Sequence, residues 1–216
     1  MTIISSVKYF GKKNNQIVSM QGQISSACPA SFLELRRLAS VRPYLCERTS
    51  ARLVAALITS RLDYYNSVLA GLPAEQIGRL QRVQNSAARL VQKKRKRDHV
   101  TPLLNEFHWL PVKFRCEYKI ATLAYCHFDG TLPSYLSASL CTYQTSRIFR
   151  SSNEKLLKIP KHSLKSVGDH SFSFIAPTVW NSLPVSLRNL PTLSDFQAQL
   201  KTFLFSTGIS TNLGGP

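Results

Sequence analysis

Between positions 53 and 69, apolar side chains return every third or fourth residue: Leu53, Val54, Leu57, Ile58, Leu62, Tyr65, Val68 and Leu69. That spacing fits a helix with one buried stripe and fits no alternating strand. Such a helix is marginal alone and requires neighbours with matching apolar faces. Two segments supply them. Over 20–40, Ile24, Phe32, Leu35 and Leu38 fall on one helical face, and Pro29 predicts a kink or break. From about Ala74, the residues Ile77, Leu80, Val83, Ala87, Leu90 and Val91 point inward, with Arg79, Arg82 and Arg89 on other faces. Thr49 or Ser50 is the expected cap of the middle helix, and Gly71 and Pro73 stop it.

Further along, Thr101 and Pro102 read as a cap and first-turn proline of a short helix ending near His108-Trp109-Leu110-Pro111. Pro111 restarts a helix in which Phe114, Tyr118, Ala121, Tyr125 and Phe128 keep near-heptad spacing up to Gly130. Short proline-led pieces follow over 133–140. After Cys141 the chain becomes rich in Ser, Thr and Lys, with a short strand expected over 156–160. Two apolar segments close the pattern, 172–183 and 196–205, the second capped by Thr192 or Ser194. The expected fold is mainly α: a helical bundle over 19–141, a basic linker over 142–170, and a smaller, looser α unit over 171–206 with minor β. Residues 1–18 read as irregular, with a strand-like Val7-Lys8-Tyr9-Phe10-Gly11, and 207–216 as a disordered tail.

Charge narrows the function. Of 216 residues, 28 are Lys or Arg and 11 are Asp or Glu, a net +17. This excludes charge-driven binding of basic ligands and favours a polyanion, nucleic acid before an anionic membrane surface. The longest apolar run, 53–58, is six residues, against about 20 for a membrane span. No signal-peptide pattern opens the chain. Five scattered cysteines (Cys28, Cys46, Cys116, Cys126, Cys141) and five histidines show no metal-ligand spacing. An intracellular protein with reduced thiols is expected, without cofactor or metal.

Lys93, Lys94, Arg95, Lys96 and Arg97 form the strongest local signal. A helix end welcomes one or two cations. Five in succession repel one another unless phosphates neutralise them, and such a run also serves as a nuclear address. A second cluster holds Arg147, Arg150, Lys155, Lys158, Lys161 and Lys165. Tyr64, Tyr65, Trp109 and Trp180 could stack on bases, but their spacing reads better as core. Catalytic motifs are absent: there is no nucleophile elbow, phosphate loop or paired aspartate. Asp98-His99, Cys126-His127 and Asp169-His170 are sequence neighbours, which point apart on a helix.

A set of ordered motifs goes further. They are Ser60-Arg61-Leu62-Asp63-Tyr64, Gly71-Leu72-Pro73, Leu80-Gln81-Arg82-Val83-Gln84-Asn85-Ser86-Ala87-Ala88-Arg89-Leu90, Asp98-His99-Val100-Thr101-Pro102 and His108-Trp109-Leu110-Pro111. Arg150-Ser151-Ser152, Gly168-Asp169, Ala176-Pro177-Thr178-Val179-Trp180-Asn181-Ser182-Leu183-Pro184 and Phe196 follow. In this order, over about residues 5–206, they resemble the C-terminal part of the reverse transcriptase polyprotein of Jockey-like non-LTR (LINE-type) retrotransposons. The resemblance implies that residues 1–18 are a remnant of the palm edge, 20–90 the thumb helices, and the rest a post-thumb extension. Lys12 to Gln16, Pro29 and Tyr65 depart from the family pattern.

The palm's catalytic aspartates lie upstream in that family, so the resemblance implies no enzyme. It implies a fragment of an RNA-directed DNA polymerase that binds RNA or DNA without sequence preference, and a stand-alone reading frame of it would be a decayed element copy. Arg82, Arg89, Lys93, Lys94, Arg95, Lys96 and Arg97 are the expected phosphate contacts. The alternative is an interaction module that packs on a reverse transcriptase palm and has little affinity for nucleic acid.

Overall fold

Four helices begin directly after a proline. In the computed structural model, which describes residues 15–64, 73–143, 155–160 and 171–212, Pro73, Pro111, Pro133 and Pro184 are the N-caps of Ala74–Val91, Val112–Phe128, Ser134–Ser137 and Val185–Arg188. Each adopts φ between −52° and −56° with ψ between 140° and 150°, near the φ that the pyrrolidine ring presets. The helices in chain order are α1 (Asn15–Val41), α2 (Glu47–Val54), α3 (Ser60–Tyr64), α4 (Ala74–Val91), α5 (Thr101–Glu106), α6 (Val112–Phe128), α7 (Ser134–Ser137), α8 (Phe172–Asn181), α9 (Val185–Arg188) and α10 (Leu193–Asn212). A 3-10 turn, Arg42–Tyr44, follows α1, and a π-helical turn, Ala55–Thr59, joins α2 to α3. The protein is mainly α.

Two large apolar clusters hold most of these helices, and a third, small one seats Leu103 and Leu104 of α5 on Ala88 of α4. On α1 the buried residues are Ile24, Cys28, Ser31, Leu35 and Leu38, continued by Arg42 in the 3-10 turn. Their separations of four, three, four, three and four describe a narrow seam of the knobs-into-holes kind. This seam joins Leu80, Val83, Ala87 and Val91 of α4, with Val54, Ile58 and Leu62 alongside. Val112 and Cys116, on the first turns of α6, complete that cluster. The rest of α6 serves the other one: Phe114, Ile120, Ala121, Ala124 and Tyr125 pack with Phe172, Ala176 and Trp180 of α8 and with Phe196, Leu200 and Leu204 of α10. Each buried Val, Leu, Ile or Phe among them contributes roughly 1.5–3 kcal/mol on burial. The composition change near 142 therefore divides the sequence, whereas apolar packing joins its two sides through α6.

Several expectations are corrected. Helix α1 starts at Asn15 and runs through Pro29 without a break, so residues 15–18 are helical rather than irregular. Burial of Cys28 and Ser31 on either side of the proline opposes the cost of about 3 kcal/mol that a mid-helix proline carries. Phe32 is 37% exposed, and Ser31, 1% exposed, occupies the seam instead. The N-cap of α2 is Cys46, whose thiol accepts the Thr49 N–H, rather than Thr49 or Ser50. Val100, not Thr101, caps α5. The strand over 156–160 reduces to one antiparallel bridge, Thr142 with Leu157, and no strand occurs among the described residues.

Helix α10 extends to Asn212, so 207–212 is helical where a disordered tail is expected. At Gly208 this helix lies close on α6: a Cβ there would fall 2.8 Å from the Phe114 ring. The expected palm-edge strand, Tyr65, Val68, Leu69 and most of the second basic cluster lie outside the described residues.

Candidate nucleic-acid interface

The glutamine-rich motif on α4 is a structural brace. Gln84 is buried, and its Nε2 donates to the Leu110 carbonyl at 2.9 Å. Gln81 accepts the Val112 N–H at 2.8 Å through Oε1 and donates from Nε2 to Gln84 Oε1 at 3.0 Å and Asn85 Oδ1 at 2.8 Å. These bonds fix the turn into α6 and satisfy an amide that the first turn of a helix leaves without a partner. The arginines of the same helix have separate uses. Arg79 reaches Ser25 Oγ on α1 at 3.4 Å. Arg82 is exposed. Arg89 donates from Nε to the Asp98 carbonyl at 3.0 Å, so it anchors the loop beyond the helix.

That loop carries the basic run. Helix α4 ends in a Schellman motif: the Lys94 N–H bonds to the Arg89 carbonyl at 2.9 Å and the Lys93 N–H to the Leu90 carbonyl at 3.3 Å. The residue that turns the chain is Lys93, at φ +53°. The same motif closes α5, with His108 at φ +52°, and α6, where Gly130 takes the position at φ +73°. Only glycine adopts this conformation freely. Two charged or aromatic side chains thus occupy positions at some conformational cost, Lys93 at the root of the basic loop. Replacing Lys93 with Gly is expected to stabilise the fold by about 0.5–1 kcal/mol, the left-handed penalty of roughly 1–2 kcal/mol less the added entropy of the unfolded chain. Thermal unfolding checks this, and a loss of stability would mean that the lysine side chain is held in the native state.

The five side chains from Lys93 to Arg97 are exposed. Ion pairs among the described residues join Arg37 to Glu34, Lys113 to Glu117 and Arg115 to Asp63, and none involves the loop. The nearby carboxylate of Asp98 accepts the Arg95 backbone N–H at 2.7 Å, which shapes the loop. A sixth cation is seated beneath. Arg42, 8% exposed, donates to the Leu90 and Val91 carbonyls from Nε at 3.1 and 3.2 Å, to Val91 again from Nη2 at 2.5 Å, and to Leu45 O at 2.7 Å. It serves the last carbonyls of α4, where the helix macrodipole favours a positive charge. Gln92 Nε2 donates to Glu47 Oε1 at 3.1 Å, which ties the start of the loop to the start of α2.

Sequence reading missed this second strand of the surface. Tyr44 and Arg48 flank that junction and are exposed, with Arg52 one turn along α2. Neither the position of Arg42 under α4 nor the exposure of Tyr44 has a periodic signal, since the contact spans 49 residues. Of the second basic cluster, Lys155 and Lys158 are described, and both are exposed.

The remaining candidates resolve into structure. Trp180 is fully buried, and its Nε1 donates to the Lys155 carbonyl at 2.6 Å. Asn181 holds the Leu157 backbone at both ends, accepting its N–H at 3.0 Å and donating to its carbonyl at 2.8 Å. Trp109 is half-buried beside Phe107, with ring centroids 5.0 Å apart. His127 shares a hydrogen bond with Ser137 Oγ at 2.8 Å rather than with Cys126.

Among the thiols, burial pushes Cys116 up to about 12 and raises Cys28, while the Thr49 hydroxyl and amide lower exposed Cys46. A cavity of about 190 Å³ between α6, α8 and α10 holds one carboxyl, Glu117, raised by burial and facing Lys113 at 4.0 Å. Its lining includes no residue of the basic loop and no second acid. Among the described residues no group of three or more His, Cys, Asp or Glu side chains could hold a metal ion, and no helix is long and apolar enough to cross a membrane. No protein-family model, curated protein or solved structure matches the chain.

Proposed function

We propose that the chain binds the phosphate backbone of RNA or DNA without sequence preference and performs no catalysis of its own, as the thumb and post-thumb part of a non-LTR retrotransposon reverse transcriptase would. In an intact element it would hold template or target while the palm carries out phosphoryl transfer. The run from Lys93 to Arg97 would also serve as a nuclear address. The observation that supports this reading is Arg42. With its guanidinium on the last carbonyls of α4, the helix end needs no further cation, and stabilisation of that end does not account for five exposed charges beyond it. Phosphate neutralisation does.

The test is fluorescence anisotropy with labelled RNA and DNA of two unrelated sequences over a salt series. Binding of all four should be similar at each salt concentration and fall with a log–log slope of about −2 or steeper, for three or more phosphates. A second reading has its own observation: Phe32 and Leu33 on α1 are 37% and 48% exposed, a face that a palm domain would cover. Absence of salt-dependent binding would favour that reading.

A further inference from the structure

Tyr44 is 88% exposed, well above every other exposed large hydrophobic residue among the described residues. Its position is fixed by its neighbours. Arg42, two residues before it in the same 3-10 turn, bonds to the Leu90 and Val91 carbonyls, and Glu47, three residues after it, bonds to Gln92. Both bonds end at the root of the basic loop, where Lys93 reverses the chain. The turn that carries Tyr44 is therefore clamped on both sides to the segment that presents Lys93, Lys94, Arg95, Lys96 and Arg97. Arg48, on the first turn of α2, is exposed as well. An exposed aromatic on a turn bonded to the root of a basic loop supplies the two elements, stacking face and cations, that single-strand binding combines.

We propose that Tyr44 is a base-stacking platform and that this surface prefers single-stranded nucleic acid to duplex, in which bases offer no free face. The inference rests on the proposed phosphate binding and adds the form of the strand and a residue that senses it. Cations alone attract both forms, and duplex the more strongly because its charge density is higher. A preference for single strands therefore requires the ring.

The experiment uses the full chain with a single-stranded oligonucleotide containing 2-aminopurine, whose fluorescence is quenched by stacking, and a duplex of the same length. Tyr44→Ala should weaken single-strand binding roughly 5- to 100-fold and abolish the protein-induced quenching, with duplex affinity unchanged. Tyr44→Phe should retain both, since stacking does not use the hydroxyl. An equal loss on both forms, or no loss on either, overturns the platform. A Gln-substituted basic run that binds as tightly as the unaltered chain would instead overturn phosphate binding itself, so the two failures are distinct. Circular dichroism of each variant should be unchanged, as expected for a side chain this exposed.

Discussion

Trp180→Ala should destabilise the protein by about 3–5 kcal/mol, the range for truncating a fully buried aromatic. No part of this ring reaches solvent. It stacks on Phe128 with centroids 5.2 Å apart, tilts against Phe196 at 5.7 Å and meets the edge of Tyr125 at 6.5 Å. Tyr125 in turn stacks on Phe196 at 4.6 Å and donates its hydroxyl to the Leu190 carbonyl at 3.0 Å. Removing the indole empties the place where α6, α8 and α10 converge and releases the Lys155 carbonyl that segment 155–160 offers to Nε1. Trp180→Phe keeps most of the aromatic contact and loses the hydrogen bond, so a smaller cost, about 1–2 kcal/mol, is expected. Denaturant titration of the three proteins measures both values. A cost under about 1 kcal/mol for the alanine variant would mean that α8 is not seated on α6 as described.

How far the sequence leads is visible in these same elements. The starts of helices α4 and α6 are legible to within a residue because proline precedes each, and three- and four-residue spacing marks most of the buried face of α4. On α6 the expected face of Phe114, Tyr118, Ala121, Tyr125 and Phe128 misses Val112, Cys116, Ile120 and Ala124, because this helix packs into two clusters at once. Helix α1 is legible as a helix but not in its face. Its seam passes through Cys28 and Ser31, small residues that admit α4 closely, and a reading that ranks residues by hydrophobicity chooses Phe32 instead. The proline break fails for a related reason: tertiary packing of the seam outweighs a local preference. The loop from Lys93 to Arg97 is legible as charge alone. Its shape depends on a left-handed lysine and on Arg89, which reads as a phosphate contact in sequence and is a loop anchor in the fold. The motif residues Gln81, Gln84, Trp180 and Asn181 identify themselves by pattern, but what they do is hold backbone groups that lie 24 to 31 residues away. Periodicity has no access to such pairings.

The second large effect concerns that loop. Replacing Lys93, Lys94, Arg95, Lys96 and Arg97 together by Gln should reduce the salt dependence of nucleic-acid binding by roughly 2–3 in log–log slope. Each neutralised phosphate releases counterions worth about 0.7–0.9 of slope, and about three of five side chains on one short turn can reach a single backbone. Arg89 is left in place, because its bond to the Asp98 carbonyl holds the loop and its loss would confound shape with charge. The backbone has its own support in the Asp98 carboxylate, which accepts the Arg95 N–H whatever the side chain at 95. Helix content should be unchanged, since the run lies beyond Val91. The comparison is the same Gln replacement at Arg147, Arg150, Lys155, Lys158 and Lys161, which removes equal charge from a different part of the sequence. An equal fall of slope in both variants would reduce binding to a diffuse result of the net +17. No fall in the first would leave the loop as a solvated turn or a nuclear address. A fall confined to the first, with discrimination between sequences unchanged, places the phosphates on the loop that Arg42 and Arg89 support from beneath.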